Sequence, residues 1–158
     1  MLTYNALFAT RGHRLTPLLV PGGDETKAIQ SLIDLAAAGS RVVVIGSGNA
    51  VDVLYELGPD GPKPLVALPS SGYSLVAVDA TDVALIESIS HDGGSTYVNE
   101  LELVGRFGAT RAVAAVGDPS PVGSIASIDA VALGDATVVL SAWLAGDGAR
   151  HALLAVDR

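Results

Sequence analysis

Apolar positions along this chain fall into short runs separated by small polar turns, and the runs recur. "SLIDLAAAGSRVVVIGSG" begins at Ser31, "SLVAVDATDVALIESIS" at Ser74 and "SIDAVALGDATVVLSAW" at Ser127. Each reads as a short apolar strand, a turn (Gly39-Ser40, Thr81-Asp82 or Gly134-Asp135) and a second, strongly apolar strand. The second strands begin at Val42, Val83 and Val138, in steps of 41 and 55 residues. Another unit alternates with the first: "YNALFATRGHRLTPLLVPG", "VDVLYELGPDGPKPLVALP" and "NELELVGRFGATRAVAAVG". Its turn glycines are Gly12, Gly61 and Gly108, in steps of 49 and 47.

Together the units predict four short antiparallel strands every ~40–55 residues, the length of one propeller blade. The expected fold is an all-β β-propeller of about three blades per chain, one domain over residues 1–158. Residues 2–21 supply the third and fourth strands of a blade. Residues 30–70 and 73–117 each supply a whole blade. Residues 125–157 supply the first three strands of an incomplete blade.

The strand–turn–strand motif "VDVLYELGPDGPKPLVAL" carries a resemblance to the degenerate blades of lactonase-like bacterial propellers. It is also similar to propeller segments of bacterial calcium-binding proteins of the RTX toxin type. The resemblance implies a propeller and a binding or hydrolytic function. The RTX glycine-aspartate nonapeptide is absent from this chain, so calcium is not carried over. Nor do the metal ligands of propeller lactonases match here position by position.

Closed propellers have about 4–8 blades. Three leave open sheet edges and a bare apolar flank, which invite pairing. The expected partner is therefore a second copy, in a dimer that closes the ring, or another propeller-containing protein. Composition narrows the remaining classes. Formal net charge is −8, which disfavours nucleic acid, because phosphate binding relies on Lys and Arg. No apolar run approaches the ~18 residues of a membrane span, and "MLTYNALFATRGHRL" does not read as a signal peptide. The compartment is not legible. With no cysteine, disulfides, thiolate metal sites and cysteine nucleophiles are excluded.

The alternative fold is α/β and Rossmann-like. "GDETKAIQSLIDLAAAGS" has a helix reading, with Asp24 as cap and Gly39 as stop. "RVVVIGSGNAV" offers Gly46 and Gly48 as two glycines of a dinucleotide loop. The third position is Val51 rather than glycine, and the prolines of "GPDGPKP" would halt a following helix. A turn between two strands is the expected role of the glycine pair.

The expected binding face gathers Asn49, His91, Asp92, Asp118, Trp143 and Asp147 as candidate ligand contacts. Trp143 is the sole tryptophan. Asp24 and Glu25 are the candidate carboxylates for calcium or another divalent cation, although no resident cofactor is expected. Asp and Asn also favour turns through side chain to backbone hydrogen bonds. His13, His91 and His151 lack zinc spacing, and no GxSxG elbow accompanies any serine. The expected function is a non-enzymatic, oligomeric propeller module with a structural, adhesive or ligand-binding role, as in a phage-like or surface assembly. A metal-dependent lactonase-like hydrolase and a nucleotide-binding protein are the alternatives.

Overall fold

The structure is a computed structural model and describes residues 7–11, 14–19, 29–47, 51–69, 72–90, 97–146 and 150–158. It is all-β, with no helix among the described residues. The chain forms two compact units, Met1–Ser71 and Gly72–Arg158.

In the first unit, β1 (Leu7–Arg11) and β2 (Arg14–Leu19) form a two-stranded hairpin. Four strands follow: β3 (Ser31–Ala38), β4 (Arg41–Ser47), β5 (Asp52–Gly58) and β6 (Gly61–Leu68). They make one antiparallel sheet in chain order. The second unit holds two more four-stranded sheets. The earlier one is β7 (Tyr73–Val78), β8 (Asp82–Ser90), β9 (Tyr97–Gly105) and β10 (Thr110–Ala115). The later one is β11 (Pro119–Ser120), β12 (Gly123–Leu133), β13 (Thr137–Ala145) and β14 (Arg150–Asp157). Each is an antiparallel meander.

Three sequence expectations change. The helix reading of "SLIDLAAAGS" fails, because Ser31–Ala38 is strand β3, paired with β4 along its length. Its three alanines follow the backbone of "RVVVIG" rather than their own helical propensity, because each pairs with a residue of β4, whose side chains are largely buried. Gly46 is not a turn glycine; it lies inside β4, opposite Leu32 and Val53. A Cβ there would stand 3.0 Å from Ile29 and 3.1 Å from Tyr55, so the glycine lets two large side chains approach the backbone. This removes the α/β, Rossmann-like alternative for the described residues. Lastly, the sheet around 125–157 has a fourth member, the two-residue β11, which pairs with the start of β12.

Local chemistry sets the hairpins. Between β5 and β6, Pro59 and Asp60 have no positive φ, whereas Gly61 has φ +101°. Between β9 and β10, Gly108 has φ +82° and its N–H donates to the Gly105 carbonyl at 2.9 Å. A tight turn closed by a left-handed glycine is the same device in both sheets. Bulges repeat too. Leu18, Leu65 and Val113 are each skipped in the pairing of β1–β2, β5–β6 and β9–β10. Each lies next to a matching pair: Phe8 with Pro17, Tyr55 with Pro64, Glu102 with Ala112.

The core of the second unit lies between its two sheets. Val138, Leu140, Ala142 and Leu144 alternate along β13 and are buried with Ile125 and Ile128 of β12. They meet Ala84, Leu101, Leu103 and Ala114 of the earlier sheet. Alternation places Val139, Ser141 and Trp143 on the opposite face. In β8, by contrast, Val83, Ala84 and Leu85 are all fully buried, as are Val43, Val44 and Ile45 in β4. Successive residues point to opposite faces, so these strands are covered on both.

Arg158 pins the two sheets of the second unit at one end. Its Nη1 donates to Asp79 Oδ2 at 2.6 Å and to the Gly134 carbonyl at 2.7 Å. Its Nη2 donates to Asp82 Oδ2 and Thr81 Oγ1, both at 2.6 Å. Asp79 Oδ1 meanwhile accepts the Thr81 and Asp82 N–H groups, at 2.7 and 2.8 Å. The Arg158 guanidinium holds the Asp79 carboxyl well below the usual carboxylate range. A depressed folded pKa stabilises above the unfolded value and loses that contribution as pH falls. Arg158→Ala is expected to cost ~2–3 kcal/mol at pH 7, between the surface and buried limits for ion pairs. The gap from the parent protein should begin to narrow as pH drops below about 4, the ordinary carboxylate value, and close only well below it, where Asp79 takes up its proton in the folded state. Urea melts of both proteins at pH 7 and pH 3 check this.

Candidate functional site

A polar and aromatic cluster lies on the outward face of the β12–β14 sheet. Trp143 on β13 pairs with His151 on β14, and with Ser127 on β12. The indole and imidazole meet edge to face, with centroids 5.2 Å apart and planes at 71°. Ser141, two residues before Trp143 and so on the same face, places Oγ 2.9 Å from His151 Nε2. Asp129 comes from a bulge in β12, where Ile128 pairs with Ala142 and Ala130 with Ser141. The bulge brings Asp129 Oδ2 to 3.3 Å from the same Nε2. Ser127 Oγ donates to Asp129 Oδ1 at 3.0 Å.

The residue types suggest a serine hydrolase; the geometry does not build one. In a catalytic triad the serine and the carboxylate engage opposite ring nitrogens, so that one takes the proton while the other holds the tautomer. Here both approach Nε2. That atom accepts from Ser141 when unprotonated, or donates to Asp129 when protonated, and cannot relay between them. The cluster offers a hydroxyl, a carboxylate, an imidazole and a half-exposed indole on a flat sheet, which suits contact rather than bond-breaking.

The sequence-predicted residues divide. Trp143 belongs to this cluster. Asp118 is a turn former: its Oδ2 accepts the Ala115 N–H at 2.8 Å, and its carbonyl accepts the Ile125 N–H at 2.9 Å. It stands at the rim of an apolar groove of about 440 Å³, walled by Val113, Pro119, Val122, Ile125, Leu154 and Val156. Asn49, His91, Asp92 and Asp147, and the candidate metal carboxylates Asp24 and Glu25, lie outside the described residues. Among the described residues, no group of three or more His, Asp or Glu side chains is placed to hold a metal ion. Nor is any helix among them long and apolar enough to cross a membrane.

A second cluster was not read from the sequence. Glu87 on β8 stands opposite Glu100 on β9 and Tyr73 on β7, and Glu102 is two residues along from Glu100 on the same face. Burial first, then the Glu87 and Glu100 charges, push the Glu102 carboxyl up. Burial, a hydrogen bond to Glu87 and the surrounding carboxylates push the Tyr73 phenol up. The signal lay in "NELELVG", where two carboxylates alternate with Leu101 and Leu103 and so share one face. His151, Asp129, Ser127 and Ser141 gave no comparable signal, because the bulge that assembles them is not written in local spacing.

No protein-family model and no curated protein matches this chain.

Two measurements test these clusters. Emission from Trp143, the sole indole, should shift in intensity when the edge-to-face imidazole beside it is removed in His151→Ala. For Glu102 the raised folded pKa means that the folded state binds the extra proton, so stability falls as pH rises through the folded value. Glu102→Gln is therefore expected to raise the melting temperature at pH 7 and to leave it nearly unchanged near pH 4, in thermal scans at both pH values.

Proposed function

We propose that this chain is a non-enzymatic β-propeller module, which completes its ring by association and serves as a structural, adhesive or ligand-binding part of a larger assembly. The observation that carries this reading is the repetition of backbone detail. The same bulge recurs in β2, β6 and β10, and the same glycine-closed turn opens β6 and β10. Four-stranded antiparallel meanders repeated in tandem are the blades of propellers. By that pattern β14 is a third strand, corresponding to β5 and β9, and its outer edge carries no neighbour among the described residues. Open edges of this kind are normally paired or covered.

The non-enzymatic part rests on the shared Nε2 contact, which denies His151 a relay. It also rests on the turn-forming role of Asp118. A groove with apolar walls and few polar groups favours binding over chemistry.

Light scattering after size exclusion tests the ring. A mass near twice 15.9 kDa is expected, and a monomer at every concentration overturns ring closure. Chelation of divalent ions should leave both the mass and the melting temperature unchanged. Metal-dependent hydrolysis of a lactone or ester by the purified chain would replace this reading with the hydrolase alternative.

A further inference from the structure

Equivalent positions in the three sheets differ in one respect. Counting equally far from the start of each second strand reaches Ile45 from Arg41, Ile86 from Asp82 and Ser141 from Thr137. Their partners on the third strands are Leu54, Leu101 and Leu153. Leu54 and Leu101 are fully buried, whereas Leu153 is 74% exposed. Within the second unit the reason is visible. Leu101 is covered by the β12–β14 sheet, which turns Leu140, Ala142 and Leu154 toward it. Leu153 points the other way, on the outward face with Trp143 and Ala155.

That face carries apolar Ala130, Ala132, Val139, Leu153 and Ala155 alongside Trp143 and the Ser141–His151 cluster. Small residues leave the backbone level, and the two large ones stand out from it. Trp143 is 42% exposed, and aromatic anchors of this kind dominate protein contacts. The pairing adds the His151 imidazole at one end and the Asp157 carboxylate at the other, with Asp129 from the bulge.

We infer that this outward face is an interface, and that the surface which covers it is a sheet from a second copy of this chain. The inference rests on the propeller reading and assigns it a contact surface. Two observations choose the occupant. The interface already present between the two sheets of the second unit shows what covers the leucine at this position: another four-stranded sheet of the same repeat, presenting alternate Val, Leu and Ala. The outward face continues that series with the same register, and a second copy brings three such sheets.

The test uses the full chain. Leu153→Asp should weaken association roughly 10- to 100-fold, the effect of exposing a buried leucine. Light scattering and sedimentation read the change, with the far-ultraviolet strand signal retained because the parent side chain is exposed. A second measurement needs no variant. Quenching of Trp143 emission by acrylamide should fall as the unmodified protein is concentrated through its association range. If the parent protein associates but Leu153→Asp associates equally well and Trp143 stays equally quenchable, this face is not the contact, while the propeller reading survives. If the parent protein is monomeric throughout, both fall. Mixed assemblies that form only with a different protein would also overturn the second-copy occupant.

Discussion

A strand whose consecutive side chains are all apolar has to be covered on both faces, and this one demand organises the structure. Val83, Ala84 and Leu85 cannot all leave water unless each face of β8 meets another layer. One of those layers is the β12–β14 sheet, joined through Leu101, Leu103, Leu140 and Leu144. The last sheet answers the demand on one face only. There β13 turns Val138, Leu140, Ala142 and Leu144 inward, and its outward side chains, Val139, Ser141 and Trp143, are only partly buried or exposed.

Side-to-side burial does not set how two sheets are aligned along their strands. Arg158 supplies that constraint in the second unit. It binds the β7–β8 turn through Asp79, Thr81 and Asp82, and the β12–β13 turn through the Gly134 and Ala136 carbonyls. These are equivalent turns of the repeat, so one guanidinium holds two copies of a motif in step. The planar fork suits the task, since it presents several donors in fixed directions.

Much of this architecture was legible in the chain. The alternation at Ser31, Ser74 and Ser127 located the first and second strands, and the turn glycines Gly61 and Gly108 located the hairpins. The place of Gly46 inside β4 is not legible, because a glycine beside a loop and a glycine admitting Tyr55 look alike in sequence. Nor is β11, because two residues carry no period. The outward cluster was legible only at Trp143. Asp129 reaches His151 through a bulge, and a bulge shifts register without changing composition. The carboxylates Glu87, Glu100 and Glu102 converge through pairing between distant strands, which no local window contains.

The bulged hairpins have a consequence for how such a chain can grow. Phe8, Tyr55 and Glu102 are spaced 47 positions apart, each beside a skipped residue on the next strand. For these hairpins a duplication of that length inserts in phase, so each strand keeps its face. Duplications of other lengths shift the phase of the pattern, and an odd shift within a strand turns its apolar side chains outward. The shared spacing of these hairpins therefore lets them be added in whole units, while the fold of each stays as it is.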